Sequence, residues 1–539
     1  MIGLIAKPDD HDVAREFFEL FKTPWEFYRA EEQYDVVLCV SEELPAGAVL
    51  EAKLIIVYAG QELRYDRETK IEVGSHLKGG TVSYKGERFP IYDTLLTFFD
   101  DQKNLLEEEQ SRQSAAVRSR AIGENVVRIG YDLFREIRIL LSLGQPLEYA
   151  AIPTVEIHIA ILRDLIVDSG IPLVEIPPIP EGYAFIACLT HDVDHPSIRL
   201  HRWDHTAWGF LYRALIGSVL DVVRGRASVR NLMKNWAAAA RLPFVYAGLA
   251  RDFWLDFDRY LSIEQHAGST FFVLPFKGEP GRTENGSAPR MRAAGYGVTD
   301  IDDRIQAVIK HGGEIGLHGI DAWMDSASAE AEKAQIERVT GAPIPGVRMH
   351  WLYFNSESPA ILEKAGFAYD STVGYNETIG YRAGTAQVYK PPNVSHLLEL
   401  PMHVMDTALF YPDHLGLSSV EASERVGALI ENAIKWGGVL TFNWHDRSIA
   451  PERLWGEFYE GLLVLLKQSG GWCTSANRAV RWFQNRRAVS FKRSELGIEI
   501  VTNTHNGYLP EGIPRLKGRV HKIGGGKNAG QSAFVDMPV

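Results

Sequence analysis

Residues 185–195 read "FIACLTHDVDH": an apolar run that ends abruptly in His191, Asp192, Asp194 and His195. A run of this length, bounded by polar residues, reads as a strand buried on both faces. Asp192 and Asp194 are two apart, so on an extended segment their carboxylates share a side. One can hold a cation while the other stays available as a base.

Working outward, the pattern repeats. "GSTFFVLPF", "GGEIGLHGID", "IPGVRMHWLYF", "GFAYDSTVG", "LLELPMHVMD" and "GGVLTFNWHD" are further short apolar runs that end in polar residues. Helical stretches such as "DIDDRIQAVIKHG", "AEAEKAQIERVTG", "SPAILEKAG" and "VEASERVGALIENAIKWG" lie between several of them. Strand and helix in alternation predict an α/β fold with a parallel sheet, and closure into a barrel would protect its edges. In such barrels the chemistry gathers at the C-terminal strand ends. His191, Asp192, Asp194, His318, Asp321, Arg348, His350, Asp370 and His445 all fall there. Mixed Asp and His donors without cysteine suit Zn²⁺, and also Fe, Mn or Co.

The rest of the chain is organised around this region. Residues 1–120 predict a smaller α/β domain. Its strands are "MIGLIA", "YDVVLCVS" and "AKLIIVYAG", its helix is "DVAREFFELFK", and "HLKGG" reads as a turn. No G-x-G-x-x-G follows a strand, so no dinucleotide site is indicated. Residues 121–182 predict a helical connector, with helices in "NVVRIGYDLFREIRILLSLG" and "TVEIHIAILRDLIVDSG", and then a Pro-rich linker, "IPLVEIPPIPEG". The barrel is expected over 183–487, with a helical insert at 196–255, and a partly flexible tail over 488–539. His195, His201 and His205 follow the strand end and read as surface or helix-start residues. The stretch 207–250 is apolar with scattered Arg and Lys. It fits either a hairpin packed over the barrel as a lid or an element that touches a membrane surface or a partner.

Composition narrows the partners. The chain has 539 residues and a net charge of −12, which gives no basic footprint for nucleic acid. Three cysteines, far apart, suggest no disulfide framework and a reducing compartment. With no leader-like N-terminus and no apolar run long enough to span a bilayer, the expected location is cytoplasmic.

The motifs "THDVD", "GLHGID", "GVRMHW", "AYDSTVGY" and "FNWHD" resemble, in order and spacing, those of the NodB-like polysaccharide deacetylases, carbohydrate esterase family 4. The resemblance covers about residues 183–485. "DSTVGYNETIGYRAGT" is similar to a bacterial branch of that superfamily that often carries an N-terminal extension. The resemblance implies a distorted (β/α)₇ barrel and a divalent metal, zinc foremost. It implies hydrolysis of a C–N amide bond, N-deacetylation of an acetylated sugar or glycan precursor. Rival readings are a deformylase or small-amide hydrolase on the same barrel, and a barrel that binds glycan or a partner without turnover. Matched residue by residue, Asp192 takes the place of the general base and Asp194 and His318 those of metal ligands. Arg348 matches the arginine that orients the base, Asp370 the aspartate behind it, and His445 the acid for the leaving group. The family's second metal histidine lies four residues after the first, where this chain has Ala322. His350 is the preferred substitute and Asp321 the alternative. Asp321 also reads as a helix cap.

Overall fold

The computed structural model describes residues 1–40, 52–99, 105–119, 125–202, 204–224, 228–254, 257–264, 267–450, 453, 455–494, 497–502, 512–522 and 531–536. The chain forms two compact units. One comprises residues 1–182, 381–392 and 482–539, and the other comprises 183–380 and 393–481.

In the first unit, nine strands form one mixed sheet. Trp25–Phe27, Ile2–Ile5, Val36–Val40, Leu54–Tyr58 and Val126–Ile129 run parallel, and their near-continuous Val, Ile and Leu content fits burial on both faces. The helix His11–Phe21 buries Val13, Ala14, Phe17, Phe18, Leu20 and Phe21. Several expectations are corrected here. "HLKGG" is not a turn. It lies inside the long strand Val73–Tyr84, paired antiparallel with Glu87–Phe98, and a bulge falls between Lys78 and Gly80. Gly79 there has φ +76°, a conformation that favours glycine. The segment expected to open a helical connector instead adds the strand Val126–Ile129 to the sheet, and only then forms the helix Leu133–Ser142. β-Branched Val126, Val127 and Ile129 favour that outcome. The Pro-rich linker contains the strand Leu173–Glu175, which pairs with Lys517–Lys522 of the tail.

In the second unit, all strand pairings of the main sheet are parallel. The order is Leu398–Glu399, Tyr369–Asp370, Gly346–Met349, Glu314–Gly319, Thr270–Val273, Phe185–Val193, Val439–Asn443 and Val404–Met405. Gly471–Thr474, which the pattern did not flag, pairs with the first half of Phe185–Val193. The run "LLELPMHVMD" is two short strands that sit at opposite ends of the sheet order. Within it, Leu400 N–H donates to Asp370 O and His403 N–H donates to Thr441 O. Four residues therefore carry the chain from one end strand's neighbour to the other's. No strand pairing joins the two end strands among the described residues. The helices Asp302–Lys310, Ser326–Thr340, Ser358–Lys364 and Ser419–Trp436 alternate with these strands. No helix among the described residues is long and apolar enough to cross a membrane.

Candidate metal centre and active site

The strand Phe185–Val193 is buried along its whole length, and alternation divides its polar end. His191 turns to one face. Its Nδ1 lies 2.8 Å from Trp444 O and its Nε2 2.7 Å from Glu264 Oε1, while Tyr459 and Ser269 hydroxyls also donate to Glu264. His191 is thus a satisfied core residue. Asp192 and Asp194 turn to the other face and line a cavity of ≈ 600 Å³ together with His318, His350 and His445.

Three donors converge there. Asp194, His318 and His350 each offer a ligand atom, and the three atoms lie within 4.8 Å of one another. Asp194 Oδ1 is 3.3 Å from His318 Nε2 and 3.5 Å from His350 Nε2. Among the described residues this buried oxygen has no hydrogen-bond partner. His318 explains why. Its Nδ1 sits 3.0 Å from Arg348 O, a carbonyl that can only accept, so Nδ1 carries a proton, and a neutral ring would present the Nε2 lone pair to Asp194. A lone pair facing a carboxylate oxygen is unfavourable unless a cation lies between them. Burial pushes His350 down to about 3, so its ring is neutral and fit to ligate. The donor set fits a divalent cation of the zinc type.

His350 owes its place to the backbone. It follows the strand Gly346–Met349, and the next two residues, Trp351 and Leu352, have φ +63° and +55°. Two successive bulky residues in the left-handed region are costly, and such strain concentrates at functional sites. Arg292 fastens the turn. Its Nη2 donates to His350 O at 2.8 Å and to Ile320 O at 3.0 Å, and its guanidinium lies 4.6 Å from the Tyr353 ring centroid. Asp321, the alternative third ligand, is engaged elsewhere: it accepts from Arg282 N at 2.7 Å and Arg282 Nε at 3.1 Å.

Beside the triad sits a buried charge pair. Arg348 Nη1 donates to Asp192 Oδ1 at 2.9 Å and to Thr190 Oγ1 at 2.8 Å. Asn443 Nδ2 donates to Asp192 Oδ2 at 2.7 Å. Burial would raise the Asp192 pKa, but Arg348 outweighs it and keeps the carboxylate ionised. Asp370, expected behind the arginine, is close enough for the charge of Arg348 to act on it but makes no hydrogen bond to it among the described residues. Its carboxylate accepts from the Thr372 hydroxyl, and burial lifts its pKa to about 6. The arginine is held instead by Ser371, whose carbonyl accepts from Nε at 3.0 Å and whose hydroxyl accepts from Nη2 at 2.9 Å.

On the far side of the cavity His445 Nδ1 lies 2.6 Å from Asp406 Oδ1, and its Nε2 lies 3.8 Å from Asp194 Oδ2. Burial alone would lower its pKa, but Asp406 raises it to about 10, so the ring is protonated at neutral pH. Asn443, Thr190 and Ser371 were not singled out by the motifs, and Asp406, which ends the run "LLELPMHVMD", reads from sequence either as a neighbour of the substrate at the barrel mouth or as a plain strand-end residue. Each lies at a strand end, but only tertiary structure shows which group it meets. His195 lines the cavity, its Nδ1 3.1 Å from Nε2 of the buried His201. Neither is the surface residue expected. His205 opens the helix His205–Tyr212. Tyr353, Trp351 and Tyr411 supply aromatic wall, and Arg447, Asp413 and His414 supply polar rim.

No family model and no curated protein matches the sequence. Among solved structures, the chain is similar to a protein provisionally described as a polysaccharide deacetylase from Mycobacterium smegmatis. The two are 19% identical over 57% of this chain and 94% of that one, with a TM-score of 0.36. It is also similar to the polysaccharide deacetylase of Bacillus cereus, at 12% identity over 54% and 91% of the two chains and a TM-score of 0.26. A CE4 family pseudoenzyme from Bacillus anthracis matches at 12% identity over 56% and 66%, with a TM-score of 0.25.

Proposed function

We propose that the chain is a metal-dependent hydrolase of C–N amide bonds that removes the N-acyl group of an acetylated sugar or glycan precursor. The observation that carries this reading is the convergence, on one cavity, of a cation-ready Asp–His–His triad, an ionised carboxylate clamped by arginine, and a protonated histidine clamped by aspartate. Asp194, His318 and His350 would hold the cation, zinc foremost. A divalent cation bound there supplies a Lewis acid for an acyl carbonyl and acidifies a bound water.

The chain's own groups divide the proton work. Asp192, kept ionised by Arg348 and aligned by Asn443, accepts the proton of the attacking water. His445, its Nδ1 proton held by Asp406, gives its Nε2 proton to the departing amine. Asp370 supports the strand end that carries Ser371, and Ser371 in turn aligns Arg348. The cavity has room for a sugar unit, and Tyr353, Trp351 and Tyr411 offer faces for its ring. We further propose that the sheet closes as a distorted (β/α)₇ barrel. Residues 400–403 bridge its two end strands in place of a ladder. The three scattered cysteines suit a cytoplasmic setting, where a small or lipid-linked sugar is a closer match than a wall polymer.

The test is metal analysis of the purified chain followed by an acyl-release screen on N-acetylated hexosamines. About one transition metal per chain with chelator-sensitive acetate release is expected, with turnover falling roughly 10²–10⁴-fold in Asp192→Asn. Formate or ammonia from other amides, without acetate, transfers the reading to a deformylase or small-amide hydrolase. Metal binding with glycan affinity and no turnover makes it a binding barrel.

A further inference from the structure

The helical insert of the second unit presents an apolar face that no described residue covers. Its first arm runs through the helix His205–Tyr212, a π-helical turn at Arg213–Gly217 and the helix Ser218–Val223. Its second arm is the helix Val229–Tyr246. Each arm buries one stripe: Phe210 and Ala214 on the first, Ala238, Leu242 and Val245 on the second, packed with Ile198, Trp254 and Ala450. Each arm exposes a second apolar stripe on the opposite side. On the first, Trp208, Tyr212, Leu215, Ile216, Leu220 and Val223 recur at helical spacing and all face solvent. On the second, Val229, Met233, Trp236 and Phe244 do the same. Val223 is 79% exposed and Val229 is 64% exposed where the arms meet.

Charge decides what fits this face. Residues 207–250 hold six Arg and Lys and one Asp, in a chain whose net charge is −12; Lys234 is paired with Glu457 at 2.7 Å, which leaves five further basic residues on this stretch. Arg224 and Arg230 are exposed beside Val223 and Val229, and Arg241 is exposed further along the second arm. Apolar residues interleaved with a segregated positive charge suit an anionic bilayer surface, which takes the apolar stripe among its headgroups and attracts the basic residues. Neither arm spans a bilayer, so the geometry is in-plane.

We infer that the helical insert docks this chain on anionic membrane surfaces, with the Trp208–Val223 and Val229–Phe244 stripes inserted and Arg224 and Arg230 on the headgroups. The test uses the full chain and flotation with vesicles of phosphatidylcholine alone, or containing about one third phosphatidylglycerol. Binding is expected to the anionic vesicles only, to weaken with salt, and to be accompanied by a blue shift of tryptophan emission that is smaller in Trp208→Phe/Trp236→Phe. Arg224→Glu/Arg230→Glu should lower partitioning by on the order of 100-fold or more, whereas Arg224→Lys/Arg230→Lys should keep it. Circular dichroism of both variants checks that the fold is intact. Absence of binding by the native chain overturns the inference, as does binding that the charge reversal leaves unchanged. Self-association abolished by Val223→Glu, without vesicle binding, also overturns it and assigns the face to a second copy of the chain.

Discussion

His318 donates its Nδ1 proton to the backbone carbonyl of Arg348, 3.0 Å away on the adjacent parallel strand. One hydrogen bond thus fixes which nitrogen of His318 faces Asp194. It also ties that histidine to the strand that supplies Arg348, the partner of Asp192. The two halves of the site share a backbone.

His318→Gln should remove the cation while leaving the sheet in place. Metal content by elemental analysis is expected to fall from about one per chain to a small fraction. In the native chain, chelation should lower thermal stability by ~2.7 kcal/mol for a metal held at 100 times its dissociation constant. A native chain whose melting is indifferent to chelator and to added zinc would remove the cation from the site.

Arg292→Met should loosen the third ligand without touching the cation. Losing the bonds to His350 O and Ile320 O frees the strained turn at Trp351 and Leu352. Metal affinity is expected to drop roughly 10–100-fold by competition with a chelating dye, the usual effect of removing an outer partner.

Asp406→Asn should act on His445 alone. The imidazolium loses the carboxylate that stabilises it, and kcat is expected to fall about 10²–10⁴-fold. Metal content should stay unchanged, which separates this variant from His318→Gln.

Arg348→Gln should strand the buried Asp192 carboxylate. Breaking a buried pair by removing one partner costs ~3–5 kcal/mol, readable as a shifted urea midpoint. Ser371→Ala should reproduce a small part of that loss through the arginine's orientation.

A pH effect is expected in the first unit as well. There, His158 is fully buried, its Nδ1 3.1 Å from the Tyr131 hydroxyl and its Nε2 without a partner among the described residues. Burial lowers its pKa to about 3, against 6.5 when unfolded. Stability from this group is complete above pH 6.5 and is lost as pH falls toward 3, by ~2 kcal/mol at pH 5. His158→Asn should therefore show a smaller fall in melting temperature between pH 7 and pH 5 than the native chain.

What the sequence revealed and what it hid follow one rule. Features set by a residue's own stretch of chain were legible. The runs ending in "THDVD", "GLHG" and "FNWHD" are strands, and Asp192, Asp194, His318, Arg348, His350 and His445 are brought together. Features set by a distant partner were not. Asn443 meets Asp192 from 251 positions away, and no local pattern announces it. Ser371, not Asp370, holds Arg348, because on a two-residue strand the register is decided by neighbours and not by alternation. The strand Val126–Ile129 was hidden for a related reason: four residues are too few to show a period against the helix that follows.

The site is assembled from the ends of strands that lie far apart in the sequence: Asp192 and Asp194 on one, His318 and Arg348 on two more, His445 after a fourth. No fragment shorter than that span contains the set. In a nascent chain the proposed Asp194–His318–His350 set would be incomplete until residue 350 had emerged and the strands had found their parallel partners, a slow, non-local step. Cation uptake there would therefore report pairing of the strands from Phe185 to Met349.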